Sequence, residues 1–464
     1  MLLSYRAGEF FMDIGSKQKL KDERLGDGLG LGDTNGLSWT CNSCKLVGEQ
    51  ALVINKADKK ILRELARSVA EIAARPEQDR KRKLWEKHND LVQTLPLVFC
   101  DPELAWYEII PATLLQCRGR LARIWEFRLR KEIYWAKTIK DDRVTTPEFT
   151  VQYIFSETSR GMETHIIGGT GDGAYRWDPP ISDYNKVDDL QFKQIAIDYK
   201  KTDKLFGLAQ EVFSEILKVR LEGSYWWSFG MTLDLIFLRG FERILMDMYD
   251  NPEGLHKLMA FLRDENMAKL DFLEKNNLLS LNSLGDFVGT GGYGWTKQLP
   301  APGYDGSHVR LLDMWGYSES QETVSVSPEF FKEYIFPYQA AILERFGLNI
   351  YGCCEPLDRR WDIIHLIPRL RRVTVSPWSD PENMAEILNK NYVYCRKINP
   401  AYMATPIMEE EMARVELRST FRAAKKHCCP AEVMLRDVMT LSWNPENAIN
   451  WTRIAREEAA DIYG

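Results

Sequence analysis

Short apolar strand patterns alternate with helical patterns along the C-terminal half of this 464-residue chain, and this order limits the fold more than any other feature. The strand patterns span residues 348–352, 372–376, 392–396 and 432–435. Strand, helix and strand in succession predict parallel βαβ units. At this length we expect an α/β protein with a single (β/α)8 barrel of the TIM-like type over residues 96–464. A doubly wound open sheet is the alternative, although no GxGxxG motif opens a helix after a strand.

The first 95 residues lack this alternation and predict an N-terminal addition to the barrel. Residues 1–50 contain the glycine-rich run DGLGLGDTNG and a lone CxxC pair, Cys41 and Cys44, so we expect an irregular or flexible extension there. Residues 51–95 are highly charged and carry apolar residues at helical spacing, which predicts a helical segment broken near Pro76.

Local patterns predict further elements within residues 96–464. Strand patterns span residues 96–100, 278–286 and 322–327, and residues 149–155 and 163–169 are expected to pair as a hairpin. Helical patterns span residues 251–275, with Asn251 as the cap, and residues 328–346, with a kink or break at Pro337. The segment 288–306 has six glycines and follows the strand predicted to end at Asp286. We expect this segment to be either a mobile lid or an exposed insertion.

The charge balance and the apolar pattern exclude several classes of partner. The net charge is −6 and no basic stripe is present, so we expect no nucleic-acid partner. The sequence contains no run of about 20 apolar residues and no signal-peptide pattern, so we expect neither a membrane span nor export. Nine cysteines without an export signal are typical of a cytoplasmic protein with reduced thiols.

Residues 348–365, LNIYGCCEPLDRRWDIIH, hold the densest group of chemically active side chains. A buried strand that ends in thiols and carboxylates, and is followed by a helix, is how a β/α barrel builds a metal or catalytic site. Asp286 and Asp437 follow other strand patterns, so we expect them at the same end of the barrel. The candidate metal ligands are Cys353, Cys354, Glu355, Asp358 and His365, and the candidate catalytic residues are Asp286, Glu355 and Asp437.

Each of these side chains also has a structural interpretation. Cys353 and Cys354 would fill a strand end as buried thiols, and Glu355 would cap the next helix or pair with Arg359. Asp437 would form an ion pair with Arg436, and His365 would be an ordinary helix residue. The aromatic candidates for a substrate pocket, for which core packing is the alternative, are Trp226, Trp227, Tyr293, Trp295 and Trp378.

Several spaced motifs resemble the uroporphyrinogen decarboxylase superfamily over residues 200–464. They are FLRGFE at 237–242, DMYDNPE at 247–253, SPEFFK at 327–332, KINP at 397–400 and WNPEN at 443–447. The resemblance implies a TIM barrel, in agreement with the strand and helix pattern. The decarboxylase branch of that superfamily carries an arginine-rich N-terminal motif, whereas this chain has RKRKLWEKHNDL at 80–91.

The other branch, the corrinoid-dependent methyltransferases, holds zinc with a His-x-Cys pair at one strand end and a cysteine at the last. Here Tyr351-Gly-Cys353 keeps the first cysteine, and Asp437 falls near the second. Ether-cleaving O-demethylase methyltransferases are associated with a Glu-x14-Glu-x20-His motif, which is matched by Glu329, Glu344 and His365. A helical pattern separates the two glutamates, which would hold them far apart. We therefore expect these three residues to mark the family rather than to bind one metal ion together.

The resemblance therefore implies a methyltransferase. It would move a methyl group from a small donor, such as a methoxylated aromatic, to the cobalamin of a partner corrinoid protein. Zinc or an acid would activate the leaving group. The alternatives are a lyase that acts on a carboxylated substrate with Asp286 and basic residues, and a non-catalytic binding member of the superfamily. A homodimer is left open.

Overall fold

The computed structural model describes residues 52–168 and 175–464. The strands, in chain order, are β1 (Leu97–Cys100), β2 (Glu148–Gln152), β3 (Phe155–Glu157), β4 (His165–Gly168), β5 (Tyr175–Asp178), β6 (Ile195–Ile197), β7 (Lys218–Glu222), β8 (Trp315–Ser318), β9 (Leu348–Tyr351), β10 (Leu370–Val375), β11 (Val393–Lys397) and β12 (Ala431–Leu435). The α-helices are α1 (Lys56–Ala73), α2 (Pro76–Asn89), α3 (Trp106–Ile109), α4 (Arg120–Tyr134), α5 (Tyr199–Phe213), α6 (Thr232–Arg239), α7 (Phe241–Asp250), α8 (Pro252–Lys275), α9 (Pro328–Tyr334), α10 (Phe336–Leu343), α11 (Trp361–Ile364), α12 (Pro381–Leu388), α13 (Glu410–Lys426) and α14 (Glu446–Tyr463).

A six-stranded sheet with the order β1-β12-β11-β10-β9-β8 forms the centre of the protein, and all its pairings are parallel. A separate parallel pair, β2 and β7, brings two more strands, and two short antiparallel pairs lie outside the main sheet. The α/β class with parallel strands is therefore confirmed. In the described residues the hydrogen-bonded sheet ends at β1 and β8, so closure into an eight-stranded barrel stays a prediction.

Most predicted helices form where the sequence signals place them. The N-terminal helical segment divides into α1 and α2 at Pro76, because Arg75 before it takes an extended conformation. The side chain of Asn251 accepts a hydrogen bond from the Gly254 N–H at the start of α8. Residues 328–346 break before Pro337 into α9 and α10, as proline in a helix interior requires.

Three strand predictions are wrong. Residues 278–286 contain no strand, and residues 322–327 begin within a short 3-10 turn. The Asn282 side chain takes the place of a strand backbone, because its amide oxygen accepts from the Trp315 N–H at 2.9 Å and its amide nitrogen donates to the Trp315 oxygen at 2.9 Å. The expected hairpin of 149–155 with 163–169 is replaced by the long-range pairing of β2 with β7, which no local pattern reveals.

Residues 288–296 of the glycine-rich segment pack against buried residues of α2 and of the main sheet, whereas Pro302, Gly303, Asp305 and Gly306 are exposed. The exposed insertion is therefore confirmed only for the second part of the segment, and the mobile lid stays a prediction. The Trp315 indole donates to the Gly294 oxygen at 2.8 Å, and the Asn89 amide donates to Tyr293 and Trp295 oxygens at 2.7 and 2.8 Å. A Cβ on Gly292 would lie 2.1 Å from the Trp85 ring, so only glycine allows this approach. Tyr293 and Trp295 are 1% and 6% exposed, so both are core residues here.

The described helices include none that is both long and apolar enough to cross a membrane. The predicted N-terminal extension, with Cys41 and Cys44, lies outside the described residues.

Candidate active site at the carboxyl ends of the parallel strands

Two thiols, an ammonium and a carboxylate meet where β9, β11 and β12 end. Cys353 and Cys354 follow β9, Lys397 ends β11, and Asp437 follows β12. The Lys397 Nζ lies 3.7 Å from the Cys353 Sγ and 3.5 Å from the Cys354 Sγ, and it forms an ion pair with Asp437. The Cys354 thiol also lies 3.6 Å from Asp437 Oδ2. Parallel strands bring these residues together because their carboxyl ends share one edge of the sheet.

Lys397 is charged at neutral pH although its side chain is only 2% exposed. Burial by itself lowers the pKa of Lys397, but the Asp437 carboxylate raises it well above its usual range. Burial and the neighbouring Cys354 raise the pKa of Cys353 as well, so this group is a thiol. The site therefore holds one fixed positive charge among soft and acidic groups.

Asp437 is partly open to solvent, with a side chain 32% exposed. Burial opposes its ionisation, but Lys397 and Arg436 lower the pKa of Asp437 below its usual value. Arg436 itself pairs with Glu103 at 2.9 Å rather than with Asp437. Burial and the Asp437 charge raise the pKa of Glu103 to about 7, even though Arg436 opposes the shift.

Glu355 belongs to a second, fully buried group. Its carboxylate accepts hydrogen bonds from the backbone N–H of Ser320 at 2.8 Å and of Cys353 at 3.0 Å. Burial is the main cause that raises the pKa of Glu355 and of its neighbours Glu319 and Glu322. Glu355 thus fixes the turn that carries the two cysteines, and this is neither of the structural roles expected from the sequence.

The other predicted metal ligands do not join the thiols. Asp358 accepts from the Asp380 N–H at 3.1 Å, and His365 is exposed with its Nδ1 2.9 Å from the Trp361 oxygen. Glu329 and Glu344 are exposed as well. Across the described ranges, no three His, Cys, Asp or Glu residues are arranged to hold a metal ion. Zinc, which the resemblance implies, therefore does not fit these side chains as they stand.

Asp286 lies in a different cluster, on the β2–β7 pair. Its Oδ1 is 3.3 Å from the Arg220 Nη2, and carboxylate oxygens of Glu148 and Glu222 lie within 4 Å of the same guanidinium. Burial and the Glu222 charge outweigh Arg220 and raise the pKa of Asp286 well above its usual value. Three carboxyl groups thus surround a single guanidinium.

The remaining aromatic candidates differ in exposure. Trp227 packs edge-on against Tyr317 at 5.5 Å, and Trp226 packs against Phe229 at 5.2 Å. Trp378, which follows β10, is 57% exposed. Among the five predicted pocket residues, Trp378 is thus the one that most clearly faces solvent.

No protein-family model matches the chain, and no curated protein matches it. Among solved structures, the chain is similar to a methyltransferase from Methanosarcina mazei at 6% identity and a TM-score of 0.46, with 83% of this chain and 99% of that chain covered. A likeness this weak transfers neither a family nor an activity.

Two residues of the site were missed from the sequence. Lys397 stands in the KINP motif at a predicted strand end, which was the signal that could have found it. Glu103 carries no such signal, because its contact with Arg436 and Asp437 depends on the pairing of β1 with β12.

Proposed function

We propose that this protein is a methyltransferase that moves a methyl group from a small methyl ether to the corrinoid of a partner protein. The observation that carries the proposal is the meeting of Lys397, Cys353, Cys354 and Asp437 at the strand ends. Both positions at which the resemblance to corrinoid methyltransferases implies zinc ligands, Cys353 and Asp437, lie within this cluster.

Cleavage of an ether is helped by a positive group or a proton donor beside its oxygen. Phenolate and alkoxide are poor leaving groups, and a cation or proton donor beside the oxygen lowers the barrier as negative charge develops there. Lys397 supplies such a charge in a site that is largely shielded from water. We propose methoxylated aromatics as the donors, because these are the donors that the resemblance implies.

The loops that follow β10, β11 and β12 support a protein partner. Large apolar side chains on these loops are exposed, which is common where another macromolecule docks. They are Trp378 (57%), Ile407 (82%), Met439 (40%) and Trp443 (43%). A partner seated on this side would bring its corrinoid toward the strand ends, and this chain would not need to hold the cofactor itself.

The charges around Asp286 and Arg220 disfavour a lyase. A carboxylated substrate needs a basic residue with spare positive charge, whereas Arg220 already faces Glu148, Glu222 and Asp286. A further carboxylate would meet net negative charge. The lyase alternative therefore has less support than methyl transfer.

The test is an anaerobic assay with purified protein, chemically reduced cobalamin and a panel of methoxybenzoates. We expect the absorbance of the reduced corrinoid to fall while the matching hydroxybenzoate appears by mass spectrometry. Hydroxybenzoates without a methoxy group serve as the control substrates. Release of carbon dioxide without methyl transfer would favour the lyase, and inactivity toward the whole panel would contradict methyl-ether cleavage.

A further inference from the structure

Lys397 places a positive charge among side chains of the types that usually bind zinc. Its ammonium contacts two cysteine sulfur atoms and pairs with a carboxylate. We propose that the Lys397 ammonium, rather than a metal ion, is the cation of this site, and that it binds the leaving oxygen of the methyl donor. The second half of this proposal rests on the proposed function, whereas the first half does not.

The spacing of the donor atoms shows what the ammonium replaces. The two sulfur atoms are 3.6 Å apart, and Cys354 Sγ is 3.6 Å from Asp437 Oδ2. Zinc bonds of about 2.0–2.3 Å would set pairs of tetrahedral ligand atoms about 3.3–3.8 Å apart, so each of these two pairs has a suitable spacing. The three groups still do not form an open metal site, because the Lys397 ammonium contacts all of them. A second cation would be repelled by the ammonium, which already contacts both sulfur atoms and pairs with the carboxylate.

The hydrogen bonds of Lys397 leave it able to bind a substrate oxygen. Asp437 is a strong acceptor, but the other two neighbours are cysteine sulfur atoms, which accept hydrogen bonds weakly. Cys354 is the half-buried one of the two cysteines, so an ether oxygen that reaches Lys397 would displace this side chain first. The ammonium gains a better acceptor by this exchange.

The electron pairs of the methyl transfer are all accounted for without a metal ion in this chain. The bond between the methyl carbon and the ether oxygen breaks, and its electron pair stays on oxygen. The reduced corrinoid of the partner supplies the electron pair for the new bond to carbon. Lys397 stabilises the phenolate that forms, and its ion pair with Asp437 favours the charged form of Lys397.

The test uses cobalt(II) as the probe, because thiolate ligands give cobalt an intense charge-transfer absorption. We expect the full-length wild-type protein to show no such band and to contain no stoichiometric zinc. We expect Lys397→Ala to gain a one-equivalent cobalt site, since the two sulfur atoms and the carboxylate remain. The double variant Lys397→Ala/Cys354→Ser should lose that site, and Lys426→Ala, at an exposed lysine of α13, should behave as wild type.

Two results would overturn the proposal. One is stoichiometric cobalt or zinc in the wild-type protein that is lost in Cys354→Ser. The other is a folded Lys397→Ala protein, checked by circular dichroism, that gains no cobalt site. If Lys397→Ala does not fold, the zinc and cobalt content of the wild-type protein still decides whether a metal ion occupies the site. Because no substrate is used, failure of the methyl-transfer assay would leave this result intact.

Discussion

The backbone N–H of Asp437 donates a hydrogen bond of 2.8 Å to Glu103 Oε2, and both residues have a left-handed φ, 59° and 47°. Each such conformation costs a non-glycine residue about 1–2 kcal/mol. Strain of this kind persists only where surrounding contacts impose it, and it is concentrated at functional sites. Here the Arg436–Glu103 ion pair and the Lys397–Asp437 ion pair impose it on the ends of two adjacent strands.

Substitutions at Asp437 should separate the strain from the charge. Asparagine adopts the left-handed region more readily than alanine, while both remove the partner of Lys397. We expect Asp437→Asn to lower the unfolding free energy by about 2–3 kcal/mol, because the ion pair is lost. We expect Asp437→Ala to lower it by about 1 kcal/mol more, because alanine also disfavours the left-handed backbone. Urea unfolding at neutral pH measures both values. Equal stabilities would show that the backbone at residue 437 is not strained.

Local sequence patterns predicted the strands of the main sheet because each is a short apolar run that a helix follows. Leu348–Tyr351 and Val393–Lys397 form within one residue of their predicted bounds. Trp315–Ser318 was missed, since a WGYS run has no alternation and follows an irregular loop. The burial of residues 288–296 was also missed, because their contacts with Trp85 and Trp315 are long-range and glycine patterns usually indicate exposed loops.

The site was only partly predictable for a similar reason. Cys354 and Asp437, 83 residues apart, were expected at one end of the sheet from their positions after strands, and the structure brings them together. Which strands are neighbours cannot be read from one sequence, so Lys397 was not recognised as their shared partner. Glu355, His365 and Asp358 follow the same strand, but the turn after β9 directs them to other contacts.

A buried network below the site should make stability depend on pH. Burial by itself raises the pKa of Glu432, but Arg372 and His88 outweigh it and lower the pKa to about 2. A lowered carboxyl pKa stabilises the folded state above the unfolded value, about 4.3, and this stabilisation is lost as pH falls toward 2. The difference corresponds to about 3 kcal/mol at neutral pH.

We therefore expect Glu432→Gln to lower the unfolding free energy by about 3 kcal/mol at pH 7, and by progressively less between pH 4.5 and 2. Urea unfolding across this range measures the effect. Glu71→Gln, at an exposed position of α1, is the matched control and should leave the curve unchanged. A loss that is independent of pH would mean that Glu432 acts through packing rather than through its charge.

Two glycine substitutions should have opposite effects on stability. An alanine Cβ at Gly292 would lie 2.1 and 2.2 Å from two atoms of the buried Trp85 ring, which cannot move aside, so we expect a loss of at least about 2–3 kcal/mol. Gly207 is exposed within α5, and an alanine Cβ there would meet no other atom within 4 Å, so Gly207→Ala should gain about 0.5–1 kcal/mol. Thermal and urea unfolding check both, and an unaffected Gly292→Ala protein would contradict the packing of the glycine-rich segment.

The role of Lys397 in methyl transfer should be visible in the dependence of rate on the leaving group. Lys397→Met keeps much of the side-chain volume but removes the charge that would stabilise a developing phenolate. We expect a loss of about 10²–10³-fold for aryl methyl ethers whose phenols have a high pKa, and less than about tenfold for nitro-substituted ethers, whose phenolates leave easily. Single-turnover rates over a series of substituted anisoles measure the slope, with Lys426→Ala as the control. If the rate falls by the same factor for every ether, Lys397 has only a structural role, because misplaced strand ends would slow all donors equally.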